Sequence, residues 1–525
     1  MTWPRHASYA LIALLALITA LTFADYGISW DEWVQNVYGE KLLTYYTSGF
    51  TDLSAFEFSN LFLYGGFFDL IAAILNLVSP FAAYDTRHLL GGVIFVIGLV
   101  GGWKLTRLLA GERAALIAVV FLATTPLLYG HGFINPKDSP LAWFGIWTAY
   151  FCCRILDSEK ITWPTVAGFG ISLGLVLGTR VIGVVYIYYL IFVLAAGAAA
   201  RLFAGRPLLE AWLRAKAAAL PLAVGFAIAV VLMGVFWPWS VQKPGNFFGA
   251  LGAFEHFPFA PLVLWEGQLI RGNELPQSYL PGLLILQLPE YVLLGLIPAA
   301  LAGLMAWRRQ ILTAFAAPRA QQYLYLTCAA LGPLAADFVM DPTLYNGMRH
   351  FLFVVPPLAI AAAIGWDHVI GFALRQKPIA GAVVAGLLAL ACGRQAVMLA
   401  QLHPYEYLSY NSIKGGIKGA VNRFELDYWG TTLRESARGL GEYLKSEPVS
   451  GVPLVFGCGD RTSTLTFLPV GTELTEEIDK ADFYLAMTGV KCLDPRRPGR
   501  VVHEVKRMGV TLGYTLDLRP DHQTP

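Results

Sequence analysis

Charge is scarce in this sequence. Only 14 % of its 525 residues are Asp, Glu, Lys or Arg, against 56 % hydrophobic, and that balance excludes an ordinary soluble globular protein. A large excess of one charge is missing too: the formal net charge of +2 says nothing by itself, the distribution of the basic residues being what carries information, and no nucleic-acid partner is expected. No internal repeat is visible, which argues against the paired halves common in secondary transporters. Cysteine is sparse. Of the six, Cys152, Cys153, Cys328 and Cys392 lie in apolar runs and read as small core residues, whereas Cys458 and Cys492 fall in a polar tail and can pair if that tail sits in an oxidising compartment.

What the sequence has in quantity is apolar runs long enough to cross a bilayer, at about 8–24, 87–105, 113–130, 140–156, 164–179, 181–200, 217–237, 282–305, 322–340, 349–366 and 379–398. The expected fold class is a polytopic α-helical membrane protein of about eleven spans with a small C-terminal α/β domain. The first run reads as an uncleaved span rather than a signal peptide, since further spans follow it. Lys and Arg concentrate in one set of connections, from Arg5 through Arg107, Arg154, Arg214 and Arg308 to Arg375. By the positive-inside rule that set is cytoplasmic. The expected location is therefore a bacterial inner membrane, with the N-terminus cytoplasmic and the tail periplasmic.

The expected division is a transmembrane domain over 1–400, with long outer loops at 25–86 and 238–282, and a periplasmic α/β domain over 401–525. Residues 60–81 would invert every later loop if they crossed, so they are expected to form an amphipathic or re-entrant helix at the membrane face. The stretch 240–281 is aromatic and broken by Pro and Gly, as lids and binding surfaces often are. In the tail, "DYWGTTLRESARGLGEYLKS" has helical spacing. "GVPLVFGCG", "ADFYLAMTG" and "GVTLGYTLDLR" read as strands, and "PRRPGR" as a turn-rich connector.

Ionisable residues gather at the outer ends of the spans. Asp31 and Glu32 follow the first; Asp85, Arg87 and His88 open the second; "HGFINPKDSP" holds His131, Asn135, Lys137 and Asp138; Arg180 sits in "GTRVIG"; and "YNGMRHF" carries Tyr345, Arg349 and His350. Carboxylates from two loops and cations from four suit transfer from a lipid phosphate. Asp31 or Glu32 can act as base for a hydroxyl, and Arg87, Lys137, Arg180 and Arg349 can meet the charge that develops on a leaving phosphate. Asn135, His131, His350 and Tyr345 are secondary candidates for substrate contact. Taken singly, each basic residue also fits a plain interfacial anchor, and each histidine a hydrogen-bonding spacer at a helix end.

In order, "GISWDE", "DTRHLLGGVIFVIGLVGGWKLTRLLAGERAALIAVVFLATTP", "NPKDSPLAWF", "GLVLGTRVIG" and "GMRHFLFVVPPLAIAAAIG" resemble the GT-C superfamily of membrane glycosyltransferases. The likeness is greatest to bacterial aminoarabinose transferases and protein O-mannosyltransferases, and it spans roughly residues 8 to 400. It implies a polyprenyl-phosphate-linked sugar donor and a lipid, glycan or protein acceptor. Asp31 then matches the catalytic acidic position, with Glu32 beside it, and Asp138 matches the acidic residue before Pro-Leu. Arg87 and Arg349 match basic positions expected near the donor phosphate. One departure stands out. Where these relatives carry Pro-Pro-Leu with a nearby Lys or His in the first outer loop, this chain has "SNLFLYGGFFDLI", and Lys137 is the candidate substitute.

The resulting expectation is an inverting transfer in which Asp31 deprotonates the acceptor. Asp138 and Glu32 orient that acceptor or hold a divalent cation, since hard cations favour oxygen ligands. The rivals are a transporter of a polar or lipid-linked solute and a non-catalytic assembly protein. A transporter predicts ionisable groups near mid-span; these lie at one rim.

Overall fold

A computed structural model describes residues 2–157, 160–255, 259–309, 313–459, 461–489, 492 and 499–520. Among them, seven helices are long and apolar enough to cross a membrane, and nine if each of two bent pairs is one crossing. Eleven is not reached on that basis. Two expected spans fall on Asp138–Asp157 and Trp163–Leu177, and both helices are packed largely against other helices. The second has only 15 residues.

Proline and glycine set where the helices stop. Pro126 at the first helical position leaves Thr125 extended (φ −83°, ψ 111°), because a residue before proline is pushed out of the helical region. The chain bends there by 60° between Glu112–Thr124 and Pro126–Ile134. Gly111, at φ +89°, ends the helix Ala83–Ala110 in a conformation that L side chains rarely adopt. Small residues let helices touch closely. A Cβ on Gly365 would lie 2.1 Å from the carbonyl oxygen of Gly295, so the helices Glu290–Arg309 and Val355–Gln376 meet backbone to backbone.

The first half of the segment at 60–81 is buried against protein, while Ile74, Leu75, Leu77, Val78 and Phe81 in its second half are exposed, as the expected helix at a membrane face would leave them. The segment forms a 3-10 turn, Leu61–Leu63, and a ten-residue helix, Phe67–Asn76, whose Phe67, Phe68, Asp69, Leu70, Ala72 and Ala73 are buried. Its apolar face packs on protein, because Tyr38 and Leu42 of the helix Trp30–Thr47 share a cluster with Leu61, Tyr64 and Leu70. The stretch after 237 gives two short helices, Pro238–Gln242 and Asn246–Glu255, then an antiparallel hairpin of Leu262–Trp265 with Gln268–Arg271. Trp265 of that hairpin packs on Phe424 and Tyr279.

Beyond residue 446 the chain builds a five-stranded sheet in the order Glu473–Leu474, Leu454–Gly457, Phe483–Met487, Val510–Asp517, Arg500–Arg507. The first three strands pair in parallel and the last two antiparallel. Leu433, Ala437 and Leu440 of the helix Leu433–Ser446 cover one face, against Val455, Phe483 and Leu485; their spacing of three and four is that of one helical face. The three expected strands are present, and Arg500–Arg507 and Glu473–Leu474 join them. Most of "PRRPGR" lies outside the described residues. Cys458 and Cys492 form a disulfide. Between spans and sheet, Asp427 ties residues 407–432 together, accepting from the Tyr407 hydroxyl (2.6 Å), the backbone N–H groups of Trp429, Gly430 and Thr432, and the Thr432 hydroxyl (2.6 Å).

Candidate functional site

Asp31 stands in the first turn of Trp30–Thr47, and the local sequence explains its aim. Ser29 is extended at the helix start (φ −76°, ψ 154°), and Glu32 reaches back so that its Oε2 accepts from the Ser29 N–H at 2.7 Å, a capping-box arrangement. Neighbouring helical residues point about 100° apart. Glu32 therefore turns inward, with Oε1 3.0 Å from His88 Nε2 and both side chains about 1 % exposed, while Asp31 faces a cavity of about 470 Å³. That is within the usual size of small-molecule sites.

Cations from three separate segments line the same cavity: Lys137, Arg180 and Arg349. Asp31 Oδ2 accepts from Arg349 Nη1 at 2.6 Å and lies 3.2 Å from Lys137 Nζ. Burial alone would raise the Asp31 pKa. The charges of Lys137 and Arg349 outweigh that effect and hold the carboxyl well below the usual carboxylate range. Tyr64 lies beneath two of the cations, with Lys137 Nζ 5.0 Å and the Arg180 guanidinium 5.4 Å from its ring centre. Arg349 similarly sits 4.9 Å from the ring of Tyr345, which also lines the cavity. Such contacts hold positive charge without neutralising it.

Several expected site residues act one layer back. Asp138 is buried and pairs with Arg180; Asn135 donates from Nδ2 to Asp138 Oδ2 (3.1 Å) and accepts from the Asp138 N–H (2.9 Å). Asn135 Nδ2 also lies 3.2 Å from His131 Nδ1, and His131 Nε2 lies 3.1 Å from the Tyr428 hydroxyl. This chain runs from Arg180 to the tail. His350 packs edge-on against Tyr345, ring centres 4.6 Å apart. Arg87 is fully buried and bound to Asp69 at 2.7 Å, not facing the cavity as a phosphate ligand would. With its amide oriented to satisfy both neighbours, Gln35 donates to Asp69 Oδ2 (2.6 Å) and accepts from Lys137 Nζ (2.8 Å), so Arg87 reaches the site through Asp69 and Gln35.

The segment "SNLFLYGGFFDLI" does contribute, through Ser59, Asn60, Leu61 and Tyr64 on the cavity wall. Gln35, Tyr64 and Asp69 were missed in the sequence because each lies in an apolar or weakly patterned context. The tail also supplies Glu425, Tyr428, Met487 and Gly489 to the cavity lining. No spacing rule connects residue 425 to residue 31.

A divalent cation does not fit the expected pair. Asp138 faces Arg180 and Asn135, Glu32 faces an amide and a histidine, and among the described residues no three His, Cys, Asp or Glu groups converge.

Residues 70–237 match a mannosyltransferase family. It is described as dolichyl-phosphate-mannose-protein mannosyltransferase, and the matched segment holds Arg87, His131, Asn135, Lys137, Asp138 and Arg180. The match agrees with the resemblance carried by the motifs, and the apolar helices mark a multi-span membrane protein. No curated protein matches the chain in sequence. Among solved structures, the chain is similar to ArnT from Cupriavidus metallidurans bound to undecaprenyl phosphate, at 13 % identity and a TM-score of 0.46 over 100 % of both chains. It is also similar to the Archaeoglobus fulgidus oligosaccharyltransferase tethered with an acceptor peptide, at 12 % identity and a TM-score of 0.49 over 98 % of this chain and 74 % of that one.

Proposed function

We propose that the protein is an inverting glycosyltransferase that moves a sugar from a polyprenyl-phosphate carrier to a hydroxyl acceptor on the periplasmic side of a bacterial inner membrane. One observation carries this reading: a carboxylate and three cations drawn from four distant segments line one cavity. The family matched by residues 70–237, whose description names a dolichyl-phosphate sugar, supports the donor class. The basic connections support the orientation, and so does the Cys458–Cys492 disulfide, because such bonds persist in oxidising compartments.

In the mechanism, the donor phosphate takes hydrogen bonds from Lys137, Arg180 and Arg349, the two arginines by planar, two-pronged contacts. Two of these cations hold Asp31 in the free protein. Once they turn to phosphate, the Asp31 carboxylate loses its stabilising charges and becomes a stronger base. The acceptor oxygen attacks the anomeric carbon from the face opposite the phosphate. The carbon–oxygen bond to phosphate breaks, polyprenyl phosphate leaves with the bonding pair, and the hydroxyl proton passes to Asp31. Asp138 holds Arg180 in place, and Tyr64 supports the cations from below.

Purified protein given radiolabelled polyprenyl-phosphate sugars and crude envelope extract is expected to transfer label, and Asp31→Asn to lower the rate by about 10²–10⁴-fold while still unfolding cooperatively in detergent. Transfer by Asp31→Asn at the wild-type rate removes Asp31 from this role.

A further inference from the structure

Two unlike sets of residues line the cavity. One is cationic, formed by Lys137, Arg180 and Arg349 around Asp31; the other comes from the tail and includes Glu425 and Tyr428. Glu425 is the second carboxyl on this cavity and, unlike Asp31, it forms no ion pair among the described residues. Its backbone carbonyl accepts from the Tyr410 hydroxyl at 2.9 Å, which fixes the chain at this point, but its side-chain Oε2 is shielded from solvent and has no hydrogen-bond partner. An orphaned buried oxygen costs stability unless something supplies the missing bond. The mechanism above uses the cationic residues for the donor and leaves the tail's residues unassigned.

We propose that Glu425 binds the acceptor, with its carboxyl giving a hydrogen bond to an oxygen of a hydroxyl-bearing molecule such as a glycan or polyol headgroup. This rests on the transferase reading and assigns the acceptor side of the same cavity to the C-terminal region. The titratable and charged groups facing Glu425 are Arg349, Tyr279, Tyr410 and Tyr428. Burial pushes its carboxyl up to about 8, against the opposing pull of the Gly347 N–H and the Arg349 charge. At neutral pH the group is therefore largely protonated and able to donate. Above that value it becomes a charged acceptor with no proton to give.

The test measures transfer from a panel of radiolabelled polyprenyl-phosphate hexoses and pentoses to crude envelope extract, varying donor and extract separately. Glu425→Ala is expected to raise the half-saturating amount of extract about tenfold, with half-saturation by donor unchanged. Wild-type half-saturation by extract is expected to worsen as pH rises from 7 to 9. Glu425→Gln, whose amide donates at every pH, is expected to match wild type at pH 7 and to lose that pH dependence. Extract half-saturation within twofold of wild type in Glu425→Ala overturns the proposal, as does an equal change in donor half-saturation. Should the alanine variant fail to fold, the glutamine variant decides: a pH profile like that of wild type overturns the assignment. Transfer by wild type without these effects sinks the role of Glu425 alone, whereas no transfer from any donor sinks the transferase reading and this proposal together.

Discussion

Arg87 and Arg180 show how two arginines of similar sequence context come to do different work. Both begin or precede apolar helices at the outer rim, and both fit a phosphate contact on sequence alone. Each is paired with a buried carboxylate, Arg180 with Asp138 and Arg87 with Asp69, but Arg180 still lines the cavity, whereas Arg87 lies away from it against a carboxylate inside an apolar segment that gave no warning of a partner. Their variants should separate accordingly. Arg87→Met leaves Asp69 buried without its partner, and breaking such a pair costs about 3–5 kcal/mol, so it is expected to lower the unfolding temperature sharply. Arg180→Lys keeps a positive charge beside the buried Asp138 carboxylate but loses the planar two-pronged contact, so it is expected to keep most of that stability and to weaken donor binding about tenfold, one charge-assisted contact being worth about 1.5–3 kcal/mol. Thermal unfolding in detergent and donor titrations measure the two effects side by side. At this scale the sequence told which residue types assemble. It did not tell which carboxylate each cation would take, because pairing depends on contacts between residues as distant in sequence as Asp31 and Arg349.

The elements were more legible. Apolar length announces the helices, and Pro126, Pro318 and Pro378 mark three of their starts. The segment 60–81 was harder, since nothing in its composition distinguishes lipid from protein as the surface it packs on. Its position depends on close backbone approaches instead. A Cβ on Gly65 would lie 2.0 Å from the carbonyl oxygen of Gly178, so the turn bearing Tyr64 is pressed directly against the end of the helix that precedes Arg180. Gly65→Ala forces these strands of chain apart. Overpacking of this kind typically costs about 1–3 kcal/mol, and because Tyr64 and Arg180 move with the turn, donor affinity is expected to fall along with the unfolding temperature. Gly49→Ala, with nothing within 4 Å of its Cβ but a φ of +67°, is the control for backbone strain without the clash.

Across the whole molecule, the apolar core runs without interruption from the spans through Tyr405, Tyr407, Tyr428 and Trp429 to Val505, Val510 and Leu512. The composition change near residue 400 was plain in the sequence, whereas the docking of the tail onto the site was not, because its partners lie hundreds of residues away. The Cys458–Cys492 bond belongs to this scale, since Cys458 and Cys492 pack with Met487 and Trp30 next to the cavity. Replacing both cysteines with serine is expected to destabilise the protein by about 2–4 kcal/mol and to weaken acceptor saturation more than donor saturation. Unfolding curves with and without reductant, compared with the serine variant, check the first part.

Trp30 gives that docking a mechanical meaning. Its ring is wedged between Gly430 and Gly459, where an added Cβ would come within 2.4 and 2.5 Å of the indole, and the next residue in the same helical turn is Asp31. The sheet thus grips the handle on which the carboxylate proposed as base is mounted. A rocking of the tail that admitted a bulky acceptor would swing that carboxylate as well, gearing substrate entry to the aim of the base.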